Sequence, residues 1–269
     1  MVFIPLPAPL FEIHRYRNLL YQLIKRDISS RYQGTVIGVA WSLVLPLLTL
    51  GVYSLVFGLI LQPRWPNVPD PSMFTLLLFS GLLVFNFFSE CASRATSLIV
   101  SNANYVKKVV FPIDLLIWVP IGSAFFHISL GLLAWAILVL VLGGQLYWTM
   151  VLAPLVLLPL IIMSAGLSYF LSAIGVFIRD VGQIIAVSVQ LLMYLGPVIY
   201  PREVLPERFQ SLMAFNPITI PVEQFRNILN YGLLPDFQAL FIYAMTGCIV
   251  AWLGRLFFEK TRHGFADVI

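Results

Sequence analysis

The sequence predicts an all-α, polytopic membrane protein with six transmembrane helices, and two observations lead to this fold class. The first is composition: 60% of the 269 residues are hydrophobic and only 10% are charged, whereas soluble domains carry about 25% charged residues. The second is spacing, because the charged residues leave gaps that match the roughly 20 apolar residues a helix needs to cross a bilayer core. The gaps without Asp, Glu, Lys or Arg are 32–63, 71–89, 115–178, 181–201 and 237–254.

These gaps divide into six predicted spans within a single transmembrane domain, residues 1–269. Gly143, Gly144 and Gln145 interrupt the longest gap and split it into two crossings. An outer-membrane barrel is excluded, because its strands alternate polar and apolar residues instead of forming continuous apolar runs. The predicted spans are 36–61, 74–99, 113–142, 147–177, 181–200 and 237–257.

The basic residues predict that both termini lie in the cytoplasm. An even number of spans places the termini on one side, and eleven of the 16 Lys and Arg residues fall on that side. Four fall on the opposite side, and Arg94 lies within a span. Because cytoplasmic loops carry the excess of Lys and Arg, orientation explains the net charge of +4 without nucleic-acid binding.

Residues 10–32 predict an amphipathic helix ahead of the first span. Apolar side chains such as Leu20, Leu23 and Ile28 share one stripe, and basic side chains fall largely on the opposite face. A basic amphipathic helix of this kind lies in the membrane interface. Two compatible roles follow, namely anchoring to lipid headgroups and docking of a cytoplasmic partner.

Residues 101–110 predict a short cytoplasmic segment between the second and third spans. Lys107 and Lys108 fix the topology under one interpretation. Asn102, Asn104 and Tyr105 are not needed for that, and a compact polar segment between two long helices is well placed to receive a push from a partner. The residues alone leave both interpretations open.

Residues 202–232 predict a re-entrant or interfacial helical hairpin on the external side. Two short amphipathic helices fit, at about 206–214 and 221–230, and neither is long enough to cross a membrane. Non-helical backbone at membrane depth is tolerated only against protein or a water-filled cavity. The hairpin is therefore a candidate external gate, and an ordinary periplasmic loop is the alternative.

Ionisable and small residues inside the spans predict helix packing. Glu90 and Arg94 share a helical face and are expected to form an ion pair, whereas His127 receives no role. The small residues of spans one and four suggest close helix contacts, either within a subunit or between two. These residues are Gly34, Gly38, Ser164, Ser168, Ser172 and Gly175.

Aromatic side chains, 14% of the residues, include a candidate channel lining. Packing against the core or lipid is the default role of each. As a cluster, they would offer a surface for sugar rings without a fixed hydrogen-bond register. The candidates are Tyr53, Phe57, Phe85, Phe88, Tyr194 and Tyr200.

The chain also lacks the usual sequence features of an enzyme or a self-powered pump. It has no Gly-Lys pair and hence no phosphate-binding P-loop. No cluster of His, Cys or Asp has metal-ligand spacing, and 12 acidic residues leave few catalytic candidates. We therefore expect no cofactor, no metal and no catalytic residues, and a transport role driven by another protein.

Four segments in register carry a family resemblance. They are residues 26–57, NANYVKKVVFP at 102–112, FIRDVGQ at 177–183, and GPVIYP at 196–201 followed by FNP at 215–217. Together they resemble the membrane subunit of bacterial ABC exporters for lipid-linked polysaccharides. The likeness is greatest to O-antigen permeases of lipopolysaccharide assembly, with teichoic-acid and capsule exporters as relatives, and it covers essentially the whole chain.

The resemblance implies a homodimer in the bacterial inner membrane, paired with two copies of a cytoplasmic ATPase that binds ATP. It makes 10–32 an interface helix, 101–110 a coupling helix and 202–232 the external gate, with Arg179 and Asp180 in a second cytoplasmic turn. The implied substrate is a glycan linked to undecaprenyl diphosphate. Its pyrophosphate is expected to meet basic residues near the cytoplasmic entrance, namely Arg15, Arg17, Lys25, Arg26 or Arg31.

Two other classes of protein stay open at the level of sequence. A membrane-embedded polyprenyl-phosphate glycosyltransferase or acyltransferase would need a catalytic acid or histidine in a loop, and Asp180 is a weak candidate. The second alternative is an exporter of a drug or small lipid from the same superfamily.

Overall fold

The computed structural model describes residues 14–56, 71–106, 111–202, 206, 208, 210, 213 and 215–269. Within these residues the regular elements are helices, and no strand occurs. The α-helices are α1 (Arg17–Arg31), α2 (Trp41–Tyr53), α3 (Pro71–Ser101), α4 (Ala103–Val106), α5 (Asp114–Val141), α6 (Ala153–Phe177), α7 (Val181–Tyr194), α8 (Thr219–Arg226), α9 (Phe237–Thr261) and α10 (Phe265–Val268).

Five helical stretches of the described chain are long and apolar enough to cross a membrane, and the chain is therefore a multi-pass membrane protein. They correspond to five of the six predicted spans. The stretches are Gly38–Val56, Met73–Ser101, Asp114–Val141, Trp148–Phe177 and Phe237–Gly264.

The helix observed in the span predicted at 181–200 is shorter than that span. Helix α7 has 14 residues, which corresponds to about 21 Å at the rise of an α-helix. The chain then turns at 195–200, because a proline at position 197 disfavours helical geometry in the residue before it. The second helix predicted for the hairpin corresponds to α8 and the following turn Asn227–Tyr231, while most of the first lies outside the described residues.

Helix α3 forms the centre of the fold. It packs against α5, α6, α7 and α8, and 78% of its most apolar window is buried, compared with 11% for the stretch Gly38–Val56. The stripe Ser164, Ser168 and Ser172 is buried within the chain, and a Cβ on Gly175 would lie 1.8 Å from the carbonyl oxygen of Thr96. The small residues of α6 therefore pack helices within one subunit.

Gly34 and Gly38 have a different role from the small residues of α6. Their φ angles are +82° and +55°, and no heavy atom of the described chain lies within 4 Å of the position that a Cβ would take on either residue. Glycine adopts positive φ without steric cost. Within one subunit the two glycines thus form the turn between α1 and α2, and they do not pack against another described helix of the same chain.

The bundle has two distinct ends. At one end, which we call the α4 end, Arg262 after α9 lies 3.7 Å from Asp114 at the start of α5, and Phe265 packs on Phe258 with ring centroids 5.3 Å apart. At the other, the α8 end, the Thr149 hydroxyl donates to the Ile228 carbonyl at 2.6 Å. The coupling segment and the hairpin predicted from sequence therefore lie at opposite ends of the protein.

Candidate functional site

A cluster of five ionisable side chains joins three helices near the α4 end. Glu90 of α3 accepts from Arg31 of α1 at 2.5 Å, from Arg94 at 3.2 Å and from His127 of α5 at 2.9 Å. Arg94 also binds Asp27 of α1 at 2.5 Å. We call Asp27, Arg31, Glu90, Arg94 and His127 the charge cluster. The pair expected from the spacing of Glu90 and Arg94 is thus one contact in a larger network.

The charge cluster is half-buried, with its carboxylates less exposed than its guanidinium groups: the side chains of Arg31 and Arg94 are 38% and 29% exposed. The side chains of Glu90 and Asp27 are 16% and 20% exposed. Burial alone would raise the pKa of Asp27, but hydrogen bonds from Arg94 and Ser123 and the charges of Arg94 and Arg31 lower it below its ordinary value. Asp27 is therefore ionised at neutral pH, and its contact with Arg94 ties α1 to α3.

The cluster does not form a metal site. Within the described ranges, no group of three or more His, Cys, Asp or Glu side chains is arranged to hold a metal ion. The carboxylates of Asp27 and Glu90 instead face the guanidinium of Arg94. The role of the cluster is to connect α1, α3 and α5 mechanically through ion pairs.

Helix α4 is linked directly to α1. The guanidinium of Arg26 donates to the Tyr105 hydroxyl at 2.8 Å and lies 5.7 Å from the centre of the Tyr105 ring. That ring packs on Phe111, with centroids 4.5 Å apart, and Asn102 donates to the Leu98 carbonyl of α3 at 2.8 Å. A displacement of α4 would therefore reach both α1 and α3.

The remaining described residues predicted at this end are mostly spread over its surface. Asn104, Arg179 and Asp180 are exposed, and Lys107 and Lys108 lie outside the described residues. Of the five basic residues predicted to meet a pyrophosphate, Arg31 is engaged by Glu90 and Arg26 by Tyr105. The other three, Arg15, Arg17 and Lys25, are exposed on or beside α1.

The aromatic side chains predicted to line a channel divide into two groups. Phe85 and Phe88 are 8% and 2% exposed and belong to the core, because α3 is surrounded by other helices. Tyr53 and Tyr200 are half-buried, and Tyr194 is 51% exposed. Phe57 lies outside the described residues. Phe85 and Phe88 therefore pack helices in this structure, and the three tyrosines are the described candidates for an aromatic surface.

The hairpin at the α8 end is attached to the bundle by a buried arginine. Arg226, 4% exposed, donates to the carbonyl oxygens of Leu77 at 2.9 Å, of Val198 at 2.6 Å and of Pro197. A Cβ on Gly81 would lie 2.8 Å from Nη2 of Arg226, so glycine at position 81 leaves room for the guanidinium. We call these contacts of Arg226 the α8 clamp.

Sequence analysis does not identify three residues of the charge cluster and the α8 clamp. It does not single out Asp27 or Arg226, and it assigns His127 no role. A partial signal exists for Asp27, because an acidic residue on an otherwise basic helix is expected to have a cationic partner. Arg226 gives no comparable signal, because its partners are backbone carbonyls.

Comparison with known proteins connects this architecture to a transporter family. The sequence profile described as "ABC-2 type transporter" matches residues 18–230, which include the charge cluster, α4 and the α8 clamp. The O-antigen export system permease protein RfbA of Myxococcus xanthus is 30% identical over 260 residues, which cover 96% of this chain and 98% of that protein.

Two further relatives are similar over most of their length. The O-antigen export system permease protein RfbA of Klebsiella pneumoniae is 26% identical over 257 residues, covering 94% of this chain and 95% of the relative. The polysialic acid transport protein KpsM of Escherichia coli is 23% identical over 243 residues, covering 89% and 92%. The chain therefore belongs to the ABC-2 type transporter family, as a transport permease subunit that relies on a partner ATPase rather than as an enzyme.

Proposed function

We propose that the chain is the channel-forming permease of an ATP-driven exporter that moves a lipid-linked polysaccharide of the O-antigen type across the bacterial inner membrane. Two relatives named as O-antigen export permeases match 94% and 96% of the chain, which supports this substrate class. Two copies of the permease form the channel. Two copies of a cytoplasmic ATPase bind the ATP, and the permease itself carries no cofactor. The glycan is attached to undecaprenyl diphosphate.

In this proposal the α4 end faces the cytoplasm, and so do both termini. The excess of Lys and Arg on that side supports the orientation. The chain crosses the membrane six times, with α7 as the fifth crossing. Because α7 is only 14 residues long, the 195–201 turn and the α8 hairpin complete the path to the external surface.

The observation that carries the proposal is the link from α4 to α1. A partner that pushes on α4 moves Tyr105, and the hydrogen bond from Arg26 transmits that movement to α1. The charge cluster then passes it to α3 and α5 through Asp27 and Glu90. Nucleotide-driven motion outside the membrane is thereby converted into displacement of spanning helices around the channel.

The experiment that tests this function is deletion of the gene in the native strain followed by complementation. We expect deletion to remove the polysaccharide from the cell surface and to leave a lipid-linked form inside, and the wild-type gene to restore display. The variant Tyr105→Phe keeps the ring but loses the hydroxyl that binds Arg26. It is expected to reduce the export rate about two- to tenfold, the effect of one hydrogen bond.

The matched control is Tyr21→Phe on α1, the helix that also carries Arg26. It removes a hydroxyl from a side chain that is 66% exposed. Its export rate is expected to equal that of the wild type. Unchanged surface polysaccharide in the deletion strain would contradict the proposed function. Equal export by Tyr105→Phe and wild type would contradict the transmission route alone.

A capsular or teichoic-acid polymer is the second candidate substrate, and the similarity to a relative named as a polysialic acid transport protein favours the capsular one. The deletion strain separates the two. Loss of the polymer attached to lipopolysaccharide supports the O-antigen type, whereas loss of a capsule with intact lipopolysaccharide supports the alternative.

A further inference from the structure

A polar cavity lies behind the hairpin at the α8 end. It has a volume of about 260 Å³ and is lined in part by Pro197 and Pro201. The rest of its described wall comes from α8, from the following turn and from Arg202. The side chains that line this wall are Arg202, Glu223, Gln224, Arg226, Asn227 and Tyr231.

Two amide side chains of this wall carry polar atoms without a hydrogen-bond partner among the described residues, and the guanidinium of Arg202 donates to the Gln210 carbonyl at 3.4 Å. Gln224 is 6% exposed and accepts from the backbone N–H of Asp236 at 2.7 Å through Oε1. Within the described residues its amide nitrogen makes no hydrogen bond, and neither does the side chain of Asn227. Nε of Arg202 is buried without a hydrogen-bond partner in the same part of the chain. Buried polar atoms of this kind are normally satisfied by protein, water or ligand.

The cavity combines these amide and guanidinium groups with an aromatic ring. Tyr231 is 37% exposed and contributes to the wall next to Asn227. Planar amides can both donate to and accept from hydroxyl groups, and an exposed ring can pack against the C–H face of a sugar. We propose that this cavity is a saccharide-binding site that holds one sugar unit of the exported chain at the external surface. The inference deepens the proposed function and rests on it.

The charges of the wall favour a saccharide over a phosphate group. The guanidinium of Arg226 is already engaged by the carbonyl oxygens of the α8 clamp. The carboxylate of Glu223 opposes the charge of Arg202 in the same cavity, and a phosphate would be repelled by it. A sugar hydroxyl can both donate and accept a hydrogen bond, and it is therefore compatible with a wall that carries charges of both signs.

The location of the cavity gives the site a role in export. The guanidinium of Arg226 borders the cavity and holds the hairpin to α3 and to the turn after α7. A sugar bound there contacts α8 together with Pro197 and Pro201, and it therefore bridges the hairpin and the turn at the end of the fifth crossing. Such a site would keep the growing external part of the polymer from sliding back between transport cycles.

The test uses the purified permease with its partner ATPase in lipid nanodiscs. The probe is the lipid-free polysaccharide released by mild acid from cells that carry this exporter, and saturation-transfer NMR measures its dissociation constant. We expect Tyr231→Leu and Asn227→Ala each to weaken binding about tenfold. The matched controls are Trp148→Leu and Gln145→Ala, which alter exposed residues at the same end outside the cavity, and they are expected to bind as the wild type does.

The outcomes separate this inference from the proposed function. Equal binding by all variants, or no binding by a wild-type permease that exports polysaccharide in cells, overturns the saccharide site and leaves the function intact. Displacement of the polysaccharide by inorganic pyrophosphate, with unchanged affinity in Tyr231→Leu, identifies an anion site and also overturns it. If Asn227→Ala does not fold, Asn227→Asp takes its place. This variant preserves the side-chain shape but removes a hydrogen-bond donor, and it is therefore expected to weaken binding.

Discussion

Replacing Glu90 with glutamine is expected to lower the apparent Tm of the purified permease by about 5–10 °C. Glu90 accepts from three side chains on three helices, and its neutral analogue leaves Arg31 and Arg94 with one carboxylate, Asp27, between them. Removing one partner of a buried ion pair costs about 3–5 kcal/mol. The partial exposure of Arg31 and Arg94 reduces this cost to about 2–4 kcal/mol, which corresponds to this shift for a chain of such size. The measurement is a thermal unfolding curve followed by fluorescence-detected size exclusion.

The chain supplies a matched control in Glu259→Gln. Glu259 pairs with Arg255 at 3.0 Å with the same i,i+4 spacing as Glu90 and Arg94, but its side chain is 41% exposed. Exposed pairs contribute about 0–1 kcal/mol, so this variant should unfold within about 2 °C of the wild type. Similar shifts for both variants would show that the charge cluster does not hold α1, α3 and α5 together.

Replacing Arg226 with methionine is expected to have the second large effect, because it removes the α8 clamp. The carbonyl oxygens of Leu77, Pro197 and Val198 lose their guanidinium donor. Hydrogen bonds to a charged group are worth about 1.5–3 kcal/mol each, and they are not additive when they share one donor group. We expect a total loss of about 3–5 kcal/mol, a fall in apparent Tm of about 10 °C or more, and faster proteolysis of the hairpin from the external side.

Two further variants separate loss of the clamp from loss of a basic residue. Arg208→Met removes an exposed arginine of the same hairpin and should leave both the apparent Tm and the proteolysis rate unchanged. Arg226→Lys retains the charge but not the three-way geometry, because lysine lacks the planar fork of arginine, and its stability should fall between that of Arg226→Met and that of the wild type. Equal proteolysis of Arg226→Met and wild type would mean that other contacts hold the hairpin.

Much of the architecture can be predicted from the sequence because hydrophobic run length directly reports membrane-spanning helices. Four of the five long stretches begin and end within about two residues of their predicted spans wherever those residues are described, and the last five residues of the first span, 57–61, fall outside the described residues. The last stretch, Phe237–Gly264, runs seven residues beyond the predicted end at 257. Segments 102–112 and 177–183, which carry the family resemblance, lie within the residues that the matched profile covers. That match also excludes the rival interpretation as a glycosyltransferase or acyltransferase, for which Asp180 is the weak candidate.

The parts that could not be predicted depend on which helices are neighbours. Periodicity places Phe85 and Phe88 on α3, but only the position of α3 at the centre of the bundle makes them core residues. The contact between Asp27 and Arg94 joins residues 67 positions apart, and no local pattern reports it. The predicted span 181–200 is longer than helix α7, which ends at Tyr194. A hydrophobic run can contain a proline, so the sequence pattern does not reveal that the helix ends just before Pro197.

The central claim is that this permease is driven by a separate ATPase bound at the α4 end. The most direct measurement is purification of the protein from its native membrane in mild detergent, followed by identification and quantification of the proteins that accompany it. We predict one ATPase with a phosphate-binding P-loop, present in a one-to-one ratio with the permease. Recovery of the intact permease without any ATPase, under conditions that preserve other membrane complexes, would contradict the account.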